Sequence, residues 1–217
     1  MLKQSLVASM ALALLSFAAP ALAGPPFICH EFQIGDAASL PWTKGDWLGM
    51  SRDYDITRVV ADTEALLKAE TPILARMETL RRAVLYASRD RAIAERLVAA
   101  LAARVDAADK AGRTNALALF DAGYALEAMS EIEMLGHHMG SDLAVRGRAL
   151  AGMTRPDDGR ALILKSAALR TDDAGIAFAL ALIERTEGKQ PHLLKARAAA
   201  KQDRLLATNM ARLQMLQ

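Results

Sequence analysis

The sequence predicts an all-α protein built from antiparallel helical hairpins, arranged as a short solenoid or a bundle, with an irregular N-terminal arm. Three observations carry this. Apolar residues recur at helical 3–4 spacing in six or more segments. No stretch alternates apolar and polar residues between turn signals, so essentially no sheet is expected. Alanine and leucine dominate the apolar content while aromatics make up only 5% of the chain, which suits helices packed through small side chains.

The first 23 residues read as a secretory signal. Lys3 supplies the positive start, Leu6 to Ala19 the apolar stretch, and Ala21-Leu22-Ala23 the small-x-small cleavage site. The apolar run falls short of the roughly 20 residues that span a bilayer; an uncleaved anchor is the alternative. Cys29 is not the first residue after the cut, so lipid attachment there is not expected. Periplasmic or secreted localisation in a bacterium follows, with no transmembrane segment once the signal is removed. The remaining 194 residues suit one domain of ordinary size or a short helical array. Their 26 basic and 25 acidic side chains nearly balance, which argues against a nucleic-acid partner. One cysteine cannot make an internal disulfide, so an apolar core must hold the fold.

Residues 24–54 form the arm. They hold Phe27, Phe32, Trp42, Trp47 and Tyr54, five of the nine aromatics beyond the signal, together with Pro25, Pro26 and Pro41. A disordered tail would be poor in aromatics. The arm is expected to lie across the first helices and cover their apolar ends; the alternative, compatible with it, is that the arm shapes a site or docks a partner, with Cys29, His30 and Trp42 as the candidate residues.

Residues 55–217 form the helical-repeat-like domain. Ile56, Val59, Val60, Thr63, Leu66 and Leu67 share one helical face. Thr71 is placed to cap the second helix, with Pro72 at its first position, where no amide donor is needed. Ile73, Met77, Leu80, Val84 and Ala87 form its stripe. Ser88 is placed to cap a third helix with Ile93, Leu97, Leu101 and Val105 on one side, closed by Asp106 to Arg113. A fourth covers about Thr114 to Leu135. Gly123 inside it costs about 1 kcal/mol against alanine and suits a close helix neighbour. Gly136 to Ser141 reads as a loop, with a short helix at Leu143 to Leu150. Arg155 to Gly159 is a turn. Helices follow at Gly159 to Arg170, at Ala174 to Thr186 after Thr171-Asp172-Asp173, and from His192 to Leu213 beyond a break at Glu187 to Pro191.

Two resemblances follow from particular residues. Leu162 to Leu182 resembles a junction between tetratricopeptide repeats. Lys165, Ser166 and Leu169 lead into Asp172-Asp173, and Ala177, Leu180 and Ala181 match the small-large-small packing positions. Thr171 stands where that family has a turn proline, and no clear second copy lies about 34 residues away, so the repeats are degenerate. The run Pro25, Pro26, Ile28, Cys29, His30, Ile34, Gly35, Ala37, Ser39, Leu40, Pro41, Trp42 resembles the mature start of a group of uncharacterised secreted bacterial proteins. Glu70 to Ala87 and Ala118 to Ala128, with Phe120-Asp121-Ala122-Gly123-Tyr124 at its centre, are similar to the same group. That resemblance implies export and a shared helical fold, and no activity.

The candidate chemistries are few. A c-type haem needs C-x-x-C-H, and Pro26 stands at the first cysteine's place. A Cys29 nucleophile needs a positioned base, which adjacent His30 rarely supplies. Met134, His137, His138 and Met139 put two imidazoles and two thioethers within six residues, a donor set that suits copper. No zinc-hydrolase ligand helix is present. Glu127, Glu131 and Glu133 share a helix and could include an acid–base pair, though solvated faces carry such residues more often. Lys195, Arg197, Lys201, Arg204 and Arg212 form a basic last segment with Leu193, Leu194, Leu205 and Leu206 on its buried side. The favoured expectation is an exported helical scaffold that binds a protein or peptide partner, with no catalysis and no cofactor. The alternative is a small periplasmic copper-type metal binder using His137, His138, Met134 and Met139.

Overall fold

The structure, a computed structural model, describes residues 28–43, 48–138, 140–155, 157–184 and 188–215. The signal segment, Phe27, Trp47 and Met139 lie outside the described residues. Within them the chain is helical, with one isolated antiparallel bridge between Trp42 and Met50 and no strand.

A 3-10 turn at Ile56–Arg58 leads into α1 (Val59–Leu66). Asp55 caps the turn by accepting the Thr57 N–H. Next comes α2 (Ile73–Ala87), whose start differs from expectation. Pro72 is the N-cap itself, in extended backbone, and Thr71 turns its hydroxyl back to the Leu66 carbonyl. Ser88 likewise ends α2, donating to the Leu85 carbonyl, and Asp90 caps α3 (Arg91–Lys110) through the Ala92 and Ile93 amides. Aspartate here reaches two of the orphan amides of the first turn, which leaves serine free to serve the preceding C-terminus. The third helix also runs past Asp106, and Gly112 ends the segment at φ +65, a backbone that favours glycine.

Asn115 caps α4 (Ala116–His138) through the amides of Leu117 and Ala118. The loop expected from Gly136 is helical through His138. The physical reason is Gly147 of α5 (Ser141–Leu150): a Cβ on Gly136 would lie 2.8 Å from its Cα, so this glycine is a helix–helix contact and not a breaker. The same device brings α4 against α6 (Asp158–Leu169), where a Cβ on Gly123 would lie 2.6 Å from the Gly159 carbonyl. Glu127 of α4 accepts the N–H of Arg160 at 2.7 Å, serving the first turn of α6 from outside.

Asp173 caps α7 (Ala174–Ile183), which packs on α8 (Lys189–Ala200). Pro191 does not break α8. It sits in the first turn, where amides have no intrahelical acceptor. The single last helix expected from His192 to Leu213 is two helices. Asp203 interrupts it and caps α9 (Arg204–Arg212) through Leu205 and Leu206. The expected buried side also needs correction, since Leu193 and Leu206 are buried but Leu194 is 61% exposed.

Helix α4 packs against α2, α3, α5 and α6, and α7 returns to α2, where Gly175 meets Ile73. That return makes α2 a central helix. Fourteen of its fifteen residues are buried, Arg82 alone being partly exposed. No helix among the described residues is long and apolar enough to cross a membrane.

Candidate functional site

The burial of α2 includes the polar and charged side chains of Arg76, Glu78, Thr79 and Arg81. Charged groups leave water only when other groups replace the lost hydration. Here much of that replacement comes from the arm. Residues 28–43 run across α2, with Ile28, Phe32 and Leu40 buried in the common core.

Glu78 is the hub. Its Oε2 accepts the Phe32 N–H at 3.0 Å and Arg81 Nε at 2.8 Å; its Oε1 accepts Arg81 Nη2 at 2.8 Å and Arg82 Nε at 2.6 Å. Four donors match the four acceptor positions of an ionised carboxylate. Arg81 then donates Nη1 to the Ile28 carbonyl, and Arg82 donates Nη1 to the Leu40 carbonyl at 2.6 Å. Tyr86 donates its hydroxyl to the Pro41 carbonyl and accepts the Ser51 N–H. Thr79 bonds the Ser39 hydroxyl. From α4, Glu131 accepts the Ile28 N–H at 3.1 Å. From α9, the Asn209 amide brackets Gln33, accepting its N–H at 2.7 Å and donating to its carbonyl at 2.8 Å. The helices thus hold the arm largely by its main chain. Apolar anchoring adds Phe32, whose ring meets Phe178 of α7 edge-on at 6.1 Å.

The arm residues singled out from sequence lie at this junction. The Trp42 ring stands 4.6 Å from the Arg81 guanidinium and meets Tyr86 edge-on. It therefore shares Arg81 with the Ile28 carbonyl, one residue from Cys29. Cys29 and His30 are half-buried. Burial, and then the negative charge of Glu131, push the Cys29 thiol up to about 11, against the pull of Arg81. The thiolate, which is the nucleophilic form, is therefore disfavoured at neutral pH.

The metal candidates lie elsewhere. His137 and His138 occupy the exposed last turn of α4, and Met134 one turn earlier is 37% exposed. Met134 precedes the two histidines by three and four positions, the spacing of neighbours on a helix surface. Cys29 lies by Glu131, about 10 Å along the helix from His138 at 1.5 Å per residue, so the arm's sulfur and the histidine pair are separate features. Among the described residues no group of three or more His, Cys, Asp or Glu side chains is placed to hold a metal ion.

The three glutamates of α4 each serve a neighbouring segment of main chain. Each accepts a different main-chain N–H: Glu127 that of Arg160, Glu131 that of Ile28, Glu133 that of Gly152. A further buried cluster joins Asp121 to Arg76 at 2.6 Å and to Arg104 at 2.9 Å. Burial pushes the Asp121 carboxyl up, and the two guanidiniums oppose it. Arg76 also bonds the carbonyls of Thr71 and Lys68, and Arg104 that of Leu67, so this cluster ties down the α1–α2 connection. In the basic last segment, Arg197 donates to the Met215 carbonyl.

Reading by helical period misses Glu78, Arg81 and Asn209, because period alone assigns polar residues to solvent. The available signal is the arm, whose five aromatics require a surface to cover. The arm, α2 and the middle of α4 meet in space: α2 binds the arm through Glu78 and α4 through Arg76–Asp121. Two surface clefts, of about 330 Å³ at the starts of α2, α7 and α9 and about 230 Å³ between α3, α4 and α6, lie apart from this junction. Comparison with protein-family models, curated proteins and solved structures finds no match to this chain.

Proposed function

We propose that the protein is an exported helical scaffold that binds an extended segment of a protein or peptide partner, without catalysis. The observation that carries this reading is the set of side chains on α2, α4 and α9 that bond main-chain groups at Ile28, Phe32, Gln33, Leu40 and Pro41. Recognition of main chain supplies affinity for extended peptides, while pockets for selected side chains supply choice. The chain thus carries the chemistry of a peptide grip, with its own arm as the occupant.

The reading of export, to the periplasm or beyond, rests on the signal segment. The degenerate tetratricopeptide-like hairpin is the α6–α7 pair, where buried Ala177, Leu180 and Ala181 support the assignment. The test is a peptide array read against the mature chain from Gly24, with anisotropy titration of the hits. Micromolar binding of extended peptides, weakened at least tenfold, about 1.4 kcal/mol, in Arg82→Ala, is the expected result. No binding by any extended peptide would contradict it.

A second reading is favoured by the exposed Met134, His137 and His138 at one helix end, which present sulfur and imidazole together. On that reading the protein binds copper in the periplasm.

A further inference from the structure

Building on the peptide-binding reading, we propose that the arm is a removable occupant of the α2 face. It gives way to a partner's extended segment of the same chemistry: two large apolar residues at the spacing of Ile28 and Phe32, then a Leu-Pro-aromatic run like Leu40-Pro41-Trp42.

The face beneath the arm is the first ground. It presents Glu78, Thr79, Arg81, Arg82 and the Tyr86 hydroxyl of α2, together with Glu131 of α4 and Asn209 of α9. A cover meant only for stability is served as well or better by apolar residues, because buried ion pairs give little net gain over apolar groups of similar volume. A charged face has the opposite virtue. When the cover lifts, its carboxylate and guanidiniums regain water, so the open state is less costly than an exposed leucine surface.

The second ground is what the face reads. Seven of its bonds go to N–H and carbonyl groups of the arm, which any extended segment offers. Their partners lie 42 to 176 positions away in sequence, so docking is tertiary and can be made in trans. The side-chain requirements come from the places of buried Ile28, Phe32 and Leu40, and from the Arg81 face that meets Trp42. The tethered arm holds the advantage of high effective concentration, so a free segment gains access chiefly when the arm's own hold is weakened.

The experiment uses the full mature chain and a fluorescent peptide of residues 24–43, read by anisotropy. Phe32→Ala loosens the resident arm and leaves the face intact. The expected result is that Phe32→Ala binds the peptide at least tenfold more tightly than the unaltered chain, and that adding Asn209→Ala removes the gain. Equal binding by the unaltered chain and Phe32→Ala would overturn the proposal. A doubled mass by light scattering in place of peptide binding would assign the face to a second copy's arm, and would also overturn it.

Hydrogen exchange on the unaltered chain keeps the test open should the variant not fold. The amides of Phe32 and Gln33 are expected to exchange at least about a hundredfold faster than the buried amides of α2, by local opening. Exchange of both sets together would overturn the proposal. A locked arm with partner peptides bound elsewhere sinks only this inference, whereas an opening arm with no peptide ligand sinks the peptide-binding function on which it rests.

Discussion

Glu78 of α2 accepts the backbone N–H of Phe32 at 3.0 Å, with both residues sealed from solvent. A charged side chain in the middle of a central helix is thereby satisfied by an arm far from it in sequence. The same carboxylate pairs with both Arg81 and Arg82, so arm, helix and guanidiniums form one unit whose members are not independent.

Replacing Glu78 with Gln keeps the shape and removes the charge. Arg81, wholly buried, then has no carboxylate in contact through this position. The expected loss is about 3–5 kcal/mol, because removing one charge of a buried pair leaves the desolvation of the other less compensated. Urea denaturation measures it. A loss below about 1 kcal/mol, the range of an exposed pair, would show that Glu78 is not the hub described.

Two glycine contacts set the approach of α4 to its neighbours. Gly123→Ala and Gly136→Ala push a methyl into backbone of α6 and α5, at 2.6 and 2.8 Å. Each is expected to cost about 1–3 kcal/mol, as overpacking does. Gly140→Ala, with open space around it, is the control and is expected to lie within about 0.5 kcal/mol. Thermal unfolding of the three variants reads the difference; equal behaviour of all three would refute the close approach.

Cys29 titrates near 11 in the fold, above the ordinary thiol at 9.0. Its contribution to stability is whole below the unfolded value and is lost as pH rises from about 9 toward 11, since the unfolded chain releases its proton first. Buried Tyr86 and Tyr124, both pushed up by burial, add to the loss at higher pH. The urea midpoint is expected to hold between about pH 7 and 8.5 and to fall by about pH 10. Native Cys29 is expected to react with a disulfide reagent at about pH 8 far more slowly than the urea-unfolded chain. Equal labelling rates would contradict the raised pKa.

The copper reading has its own readout. If Met134, His137 and His138 bind Cu(I), a chelator-competition titration gives one submicromolar site that disappears in the His137→Ala, His138→Ala double variant. Unchanged binding in that variant would remove the histidines from the account.

Much of the fold is legible in the sequence because local signals agree with it. Asp173 and Gly112 stand where caps and stops belong, and the apolar stripes of α2 and α3 are buried, save Val105 of α3, which is half-buried. The failures have a common cause. Gly136, Pro191 and Asp203 each have two meanings that only neighbours decide: Gly136 is a contact beside Gly147, Pro191 lies in a tolerant first turn, and Asp203 caps a new helix inside an unbroken periodic stripe. The candidate site was the least legible part. Cys29, His30 and Trp42 mark the arm, yet the grip is made by Glu78, Arg81, Arg82 and Asn209, residues that a helical period places in water. What turns that face inward is tertiary, and nothing in the spacing of α2 announces it.

The contact between Phe32 and Phe178 tests the seated arm most directly. Their ring centroids lie 6.1 Å apart in the edge-on arrangement. Nuclear Overhauser spectra of the chain from residue 24 onward are expected to show cross-peaks between the two rings, and between the Phe32 amide and α2. Random-coil shifts throughout residues 28–43, with no cross-peak from Phe32 to any helix, would contradict the account.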